Sequence, residues 1–218
     1  MRVWDTELLT AKKPAEMVTD GLILWVDGRD APQNKTVFDR VSETNMVASY
    51  GGMVTDWSIA QDESGLFLRC DGVKNVCGWK SPNRTYSDAQ TVELVVSPSS
   101  TSVRAFMIPN SEYFGRFSIY DDHVAVYYAN NAGTDIQTQV HPVHVVMQAG
   151  CVYIDGAKTT LSTKYNSVAF DNRLCMIRAY GKTVTGLIGA MRAYNRVLSE
   201  AEILQNLEYE KSIGRVVL

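Results

Sequence analysis

The hydrophobic positions of this chain recur mainly at the spacing of β-strands. Short segments that are apolar, or that alternate between apolar and polar residues, are separated by Gly, Pro, Asn and Asp at intervals of roughly 8–12 residues. This spacing predicts an all-β sandwich of two antiparallel sheets and argues against an α/β fold. The predicted strands span residues 21–27, 37–39, 46–50, 65–70, 90–97, 103–108, 114–120, 124–128, 136–140, 143–149, 151–154, 158–161, 174–180 and 187–194.

Two Asp-Gly pairs mark predicted turns. Asp155-Gly156 lies between the segments 151–154 and 158–161, and the pair suits a type I′ hairpin turn, which needs a positive φ at both central residues. Asp71-Gly72 predicts a second tight turn for the same reason.

One helix is predicted, over residues 199–211, and its start is marked by capping residues. Ser199 is placed to cap the first turn, and Glu202 is placed to bind the Ser199 N–H, which together form a capping box. Leu198 and Ile203 have the spacing of a hydrophobic staple around this cap. The helix therefore begins at a position that the sequence specifies.

The stretch from residue 186 to 206 also carries a family resemblance. It has the pattern Gly-x-Ile-x-x-x-Arg-x-Tyr-Asn-Arg-x-Leu-Ser-x-x-Glu-Ile-x-x-Asn, which resembles the closing segment of laminin-G-like domains in the concanavalin A-like lectin and glucanase superfamily. Residues 21–30 resemble the opening strand of that family, and residues 151–156 resemble its late hairpin. The resemblance covers the chain from about residue 20 onward. It implies a jelly-roll sandwich with one short C-terminal helix, as in some phage and prophage structural proteins.

The closing motif predicts a fold better than it predicts a function, because one fold hosts many functions. The simplest interpretation of Tyr194, Asn195 and Leu198 is that they hold the final strand and helix against the sandwich. A role in ligand binding is not needed to explain them.

Length and composition favour one sizeable domain. The chain has 218 residues, of which 45% are hydrophobic, enough to fill a substantial core. No linker interrupts residues 21–218, which we predict to be a single domain, and residues 1–20 are predicted to be either an arm that docks on another subunit or a strap across the sandwich.

Charge and hydropathy exclude two classes of partner. The net charge is −3 with scattered Lys and Arg, which argues against a nucleic-acid partner. No apolar run approaches the roughly 20 residues that span a bilayer, so membrane insertion is not expected.

The four cysteines are predicted to be reduced and mostly buried. No pair has the spacing of a zinc site, and Cys70, Cys151 and Cys175 lie in apolar segments where a thiol behaves as a small hydrophobe. Cys70 and Cys77 are the one pair whose spacing suggests a disulfide alternative.

Catalytic residues are not evident in the sequence. Glucanases of the resembled superfamily carry two acids on one strand, because alternate residues of a strand face the same side. No predicted strand has such a pair, and the strand 90–97 contains only Glu93, which we expect to face solvent or to pair with an arginine. His141 and His144 flank Pro142 and indicate a bend more simply than a metal site.

Candidate binding residues are instead aromatic and amide side chains. A sugar site commonly combines an aromatic platform with amide and acid groups, and these residue types cluster best around residues 127–131. The predicted ligand-binding residues are Trp57, Tyr113, Tyr127, Tyr128, Asn130 and Asn131.

No cofactor is predicted, although a calcium site is an alternative that the resemblance suggests. Ca²⁺ needs six to eight oxygen ligands, and Asp27 with Asp30, or Asp121 with Asp122, would supply some of them. Each pair is explained more simply as turn residues.

These features favour a non-enzymatic structural or adhesion protein of a tailed phage or prophage, which binds host glycans or decorates the particle. Its partners are expected to be other virion subunits or its own copies, as in a homo-oligomer. The N-terminus lacks an apolar signal core, so we expect assembly in the host cytoplasm and a location on the virion, with leaderless export as the alternative. A secreted carbohydrate-binding module is the second functional hypothesis, and a glycoside hydrolase is the third.

Overall fold

The computed structural model describes residues 15–48, 57–73, 76–98, 104–107, 116–119, 123–127, 133–137, 142–161, 168, 170, 173–178 and 184–217. Over these residues the chain forms sixteen strands and one helix. The strands are β1 (Leu22–Asp27), β2 (Val37–Asp39), β3 (Thr44–Ala48), β4 (Ser58–Gln61), β5 (Leu68–Val73), β6 (Val76–Lys80), β7 (Thr91–Pro98), β8 (Arg104–Met107), β9 (Arg116–Ile119), β10 (His123–Tyr127), β11 (Gly133–Gln137), β12 (Val143–Gln148), β13 (Cys151–Ile154), β14 (Ala157–Thr160), β15 (Arg173–Arg178) and β16 (Val184–Tyr194), and the helix is α1 (Glu200–Ser212).

The strands form two antiparallel sheets that share β3. The first sheet has the order β14-β13-β12-β7-β16-β1-β2-β3, and the second continues from β3 as β6-β15-β8-β9-β10-β11. The long strand β16 pairs with β7 on one side, and with β5 and then β1 on the other. This architecture confirms the predicted all-β sandwich with one short C-terminal helix.

The main core lies between the sheets, and a second buried layer lies on the opposite face of the first sheet. Alternate residues of β7 divide between the two, as strand geometry requires: Val92 and Leu94 belong to the main core, whereas Glu93 and Val95 face α1. Because both faces of β7 are buried, its sequence is almost continuously apolar instead of alternating.

The helix begins where the capping signals predict. Ser199 is the N-cap, its hydroxyl accepts a hydrogen bond from the Glu202 N–H at 3.3 Å, and Glu202 Oε2 accepts from the Ser199 N–H at 2.8 Å. Leu198 and Ile203 are buried in one cluster, as expected for the staple.

Replacement of Ser199 by alanine is expected to lower the free energy of unfolding by about 1 kcal/mol, because the first turn loses its N-cap acceptor. Denaturant unfolding of the two proteins measures this change. Ser199→Gly is the control, since glycine at an N-cap costs only a few tenths of a kcal/mol. An alanine variant as stable as the wild type would mean that the packing of Ile203 alone sets the start of the helix.

Of the two predicted Asp-Gly turns, one is confirmed and one is wrong. Asp155 and Gly156 have φ of 49° and 84° and join β13 to β14, as a type I′ turn requires. Asp71-Gly72 instead lies inside β5, and its pairing with β16 shifts register there. The positive φ of Gly72 is that of a residue at a β-bulge.

The described part of the N-terminal segment, residues 15–20, lies against α1 and β16. Val18 is buried, its N–H donates to Asn206 Oδ1 at 2.8 Å, and its carbonyl lies 3.1 Å from the Tyr194 hydroxyl. Residues 15–20 therefore contact the body of the sandwich, and the predictions for residues 1–14 lie outside the described residues.

Among the cysteines, Cys70 and Cys151 are buried free thiols, as predicted. Burial raises the pKa of the Cys151 thiol, which keeps it protonated at neutral pH. The side chains of Cys77 and Cys175 lie outside the described residues. No helix in the described part of the chain is both long enough and apolar enough to cross a bilayer.

Candidate functional site

Helix α1 covers a row of charged and polar residues on the first sheet. Register places Glu93 of β7 opposite Arg192 of β16, and Arg192 opposite Trp25 of β1. Cross-strand partners point to the same face, so the three side chains form one line beneath the helix. Asn206 and Glu210 of α1 are buried above this line.

Glu93 is the centre of this buried cluster, and each of its oxygens is bound. Oε1 accepts from Arg192 Nη1 at 2.6 Å and lies 2.9 Å from His144 Nε2, while Oε2 accepts from Asn206 Nδ2 at 2.8 Å. The Tyr194 hydroxyl accepts from Asn206 Nδ2 at 3.0 Å and lies 3.3 Å from Glu93 Oε2. Glu93, His144, Arg192 and Asn206 are all fully buried.

The environment of Glu93 keeps its carboxylate ionised. Burial alone would raise the pKa of this carboxyl, but the Arg192 guanidinium and the hydrogen bonds from His144 and Asn206 lower the pKa to about 2. Burial and the neighbouring negative charge of Glu93 raise the pKa of the Tyr194 hydroxyl well above its ordinary value. At neutral pH the cluster therefore contains a carboxylate and a neutral tyrosine.

A chain of alternating charges continues from Arg192 to the surface. Arg192 pairs with Glu210, which also binds Arg215 Nη1 at 3.2 Å, and Arg215 pairs with Asp27 of β1. Arg215 is buried and its Nε donates to the Leu66 carbonyl at 3.0 Å. Arg215, three residues beyond the end of α1, thus connects the helix end to β1, at the opposite end of the network from Glu93.

The buried Asp27 connects this chain of charges to two partly exposed arginines, Arg29 and Arg40. Its Oδ1 accepts from the Arg29 N–H and Nε, each at 3.0 Å, and its Oδ2 binds Arg29 Nη2 at 2.6 Å and Arg40 Nη1 at 3.2 Å. Burial would raise the pKa of Asp27, but Arg29, Arg215 and Arg40 together hold it well below its ordinary value. Asp30 lies beside it and forms a two-point pair with Arg40.

Asp27 and Asp30, the two calcium candidates in this loop, therefore bind arginine side chains in place of a metal ion. Three guanidinium groups surround Asp27 and one binds both oxygens of Asp30, and these positive charges oppose a metal ion there. The described residues contain no group of three or more His, Cys, Asp or Glu that would hold a metal. Asp121 and Asp122 lie outside the described residues.

Trp57 is not the exposed platform that the sequence suggested. It is 3% exposed and packs edge-to-face on Trp79, with ring centroids 5.9 Å apart. The ammonium of Lys35 lies 5.0 Å from its ring centroid. Trp57 therefore belongs to the core, because the indole that precedes β4 turns inward between the sheets.

The other predicted ligand residues are not tested by the described side chains. Tyr127 ends β10, and only its backbone is described. Tyr113, Tyr128, Asn130 and Asn131 lie outside the described residues. The prediction of a site around residues 127–131 stays a prediction.

Solved structures provide the comparisons that place this fold, since no protein-family model and no curated protein matches the chain. Trypanosoma rangeli sialidase in complex with sialic acid matches with a TM-score of 0.61 and 16% identity over 94% of this chain and 37% of the sialidase. The binding domain of botulinum neurotoxin DC in complex with rat synaptotagmin II matches with a TM-score of 0.56 and 9% identity over 88% of this chain and 52% of that chain.

A structure of botulinum neurotoxin type C, whose uptake into cells depends on two ganglioside molecules, matches with a TM-score of 0.57 and 10% identity over 88% of this chain and 51% of that one. The chain thus spans about a third of the sialidase and about half of the toxin chains. Identities this low show a shared fold alone, and the chain is a β-sandwich of the kind found within these proteins.

Proposed function

We propose that this chain is a non-enzymatic structural or adhesion protein of a tailed phage or prophage that binds host-surface glycans. The observation that supports a non-enzymatic role is the state of Glu93, the single acid on β7. It is fully buried, ionised and bound by Arg192, His144 and Asn206. A general acid for glycoside cleavage needs a pKa near neutral and contact with the sugar, and Glu93 has neither.

Glycan binding is supported by the proteins that share the fold. One of them was solved with sialic acid, and another depends on two ganglioside molecules. The motif residues Arg192, Tyr194 and Asn206 bind the buried Glu93, so the proposal leaves glycan binding to residues at the surface.

A place on a virion would suit a protein that binds glycans weakly. Many copies of the chain on one particle would bind a glycan-covered surface more tightly than a single copy does, through avidity. A homo-oligomer, or contacts with other virion subunits, would suit this role. Gene neighbours that encode capsid or tail proteins would support the proposal.

A carbohydrate-binding module of a larger secreted protein is the second candidate. It is favoured by the coverage of the structural matches, in which this sandwich corresponds to about a third to a half of a longer chain. Gene neighbours or fused domains that encode hydrolases would favour this alternative.

We expect the purified protein to bind at least one class of glycan on an array and to release no reducing ends from any polysaccharide. The physical reason is that no described strand presents two acids on one face, and both acid and nucleophile are needed for an oxocarbenium-like transition state. Tyr127→Ala tests whether the predicted site around residues 127–131 supplies the aromatic platform.

A reducing-sugar assay run beside the array gives the opposing outcome. Turnover by the wild type that is absent from a folded Glu93→Gln variant would show that the protein is an enzyme. If the protein binds no glycan on the array and releases no reducing ends, the glycan-binding proposal is wrong and a purely structural role is favoured.

A further inference from the structure

One rim of the first sheet carries two partly exposed arginines beside two half-buried aromatic rings. We call Trp25, Arg29, Asp30, Arg40 and Tyr209 the arginine–aromatic patch. The Arg40 guanidinium lies 4.5 Å from the Trp25 ring centroid, and the Arg29 guanidinium lies 5.9 Å from that of Tyr209. The side chains of Arg29 and Arg40 are 31% and 25% exposed, so solvent and ligands reach both.

The acceptors of this patch are already bound. Both oxygens of Asp27, just beneath the patch, accept from Arg29, and both oxygens of Asp30 accept from Arg40. The Tyr209 hydroxyl oxygen accepts from Arg29 Nη2 at 2.7 Å. Each carboxylate here is therefore already paired with an arginine, which reduces its capacity to accept hydrogen bonds from a ligand.

The donors of the patch are in excess. A guanidinium group has five N–H donors, and Arg29 uses its Nε and Nη2 on Asp27 and Tyr209. No described residue accepts from Arg29 Nη1. Arg40 directs Nε and Nη2 to Asp30, so one hydrogen on Nη2 and one on Nη1 also lack an acceptor within the described part of the chain.

The two guanidinium groups are also close enough to act on one ligand. Arg29 Nη2 and Arg40 Nη1 bind the same oxygen, Asp27 Oδ2, at 2.6 and 3.2 Å, so the two nitrogens lie within two hydrogen-bond lengths of each other. The positive charge of Arg29 accordingly opposes that of Arg40, although Asp30, Asp27 and their hydrogen bonds raise the pKa of Arg40 overall. A further negative charge at the surface would relieve this repulsion.

Guanidinium groups already lie over both rings, Arg40 and Arg192 over Trp25, and Arg29 and Arg192 over Tyr209. We propose that the arginine–aromatic patch binds an acidic sugar, with the sugar carboxylate on the free N–H groups of Arg29 and Arg40 and the sugar ring against the exposed edges of Trp25 and Tyr209. Guanidinium groups bind carboxylates through paired N–H donors, and half-buried aromatic rings offer apolar surface with a polar rim. This inference rests on the proposed glycan-binding function and assigns it a site and a ligand class. It assigns the sugar to a different site from the one predicted around residues 127–131.

The test is an NMR titration of the full chain with N-acetylneuraminic acid, glucuronic acid and neutral galactose as probes. We expect the acidic sugars to bind at least about tenfold more tightly than galactose, since a hydrogen bond to a charged group contributes more than a neutral one. Arg40→Gln should weaken acidic-sugar binding by about tenfold or more. Thermal unfolding checks that the variant is folded.

Two further variants separate a binding role from a structural one. Asp30→Asn removes the charge that neutralises Arg40, so it should tighten acidic-sugar binding by about fivefold, whereas a merely structural defect would weaken it. Arg69→Gln is the matched control, because Arg69 is a surface arginine, 51% exposed, that also pairs with an aspartate but lies outside the patch. The affinity of the Arg69→Gln variant for the acidic sugars should match that of the wild type.

Three results would contradict the proposed site. The first is no saturable binding of the acidic sugars at sugar concentrations of tens of millimolar, and the second is equal affinity for galactose. The third is an affinity for the acidic sugars that changes in the same direction in Arg40→Gln and Asp30→Asn. The site and the proposed function can fail separately. Array binding that survives Arg40→Gln and is lost in Tyr127→Ala would reject this patch and keep glycan binding, whereas no binding to any glycan on the array would reject the glycan-binding function as well.

Discussion

Replacement of Arg192 by leucine is expected to lower the free energy of unfolding by about 3–5 kcal/mol, the usual cost of removing one partner of a buried ion pair. Arg192 is fully buried and lies between Glu93 and Glu210, whose carboxylates are also fully buried. Leucine fills much of the space but leaves both carboxylates without their cation. Denaturant unfolding at neutral pH measures the change.

Arg196→Leu provides the matched control for this substitution. Arg196 lies four residues further on, is 28% exposed, and pairs with Asp20 and Glu202 at the surface. Exposed pairs contribute about 0–1 kcal/mol, so the control should lose far less stability than Arg192→Leu. Equal losses in the two variants would mean that the charge network under α1 is not what holds the helix to the sheet.

The sequence predicted the elements whose signals are local. The capping box from Ser199 to Glu202 sets the helix start, and the type I′ turn at Asp155-Gly156 sets the hairpin, because each depends on residues within four positions of one another. Asp71-Gly72 has the same local signal. Strand β5 nevertheless continues past these two residues, because it pairs with β16 on one side and with β4 on the other. Tertiary pairing overrides turn propensity at that site.

The charge network was only partly predictable. Glu93 was expected either to face solvent or to pair with an arginine, and the structure shows the second alternative, with Arg192 as the partner. That Glu93 is buried was not expected, because its other partners are distant along the chain: Asn206 is 113 residues away and His144 is 51 residues away. The clue in the sequence is the mid-helix Asn206, since asparagine disfavours helix interiors and needs polar partners when buried.

The arginine–aromatic patch likewise depends on residues that are distant along the chain. The loop Asp27-Gly-Arg-Asp30 suggested oxygen ligands for calcium, but Arg40 and Arg215, which neutralise its acids, come from a different strand end and from beyond the helix. An acidic loop in the sequence thus becomes a surface with excess N–H donors in the fold.

The interpretation that the closing motif holds the helix in place gains a physical basis from these contacts. Tyr194 and Asn206 connect Glu93 to the Val18 backbone of the N-terminal segment. The motif residues therefore join a strand, the helix and the segment 15–20 around one carboxylate. A motif whose residues are used in this way specifies a fold and leaves the ligand to surface residues.

Replacement of Glu93 by glutamine is expected to cost about 3 kcal/mol at neutral pH, and this cost should disappear in acid. The pKa of Glu93 is about 2 in the folded protein, below its ordinary value of 4.5. Each unit by which the folded pKa lies below the unfolded pKa adds about 1.4 kcal/mol to the free energy of unfolding above both pKa values. The difference between the two pKa values therefore gives the expected cost. Because the folded pKa is the lower one, this stabilisation is present above about pH 4.5 and is lost as pH falls toward 2.

The measurement is the free energy of unfolding of wild type and Glu93→Gln from pH 7 to pH 2. Asp27 also has a lowered pKa, so both proteins lose stability in acid, and the difference between them isolates Glu93. Glu63→Gln is the control, because Glu63 is exposed and its charge should contribute little at any pH. A difference between Glu93→Gln and wild type that stays constant from pH 7 to pH 2 would contradict the buried, ion-paired state of Glu93, and would reopen a catalytic role for this carboxyl.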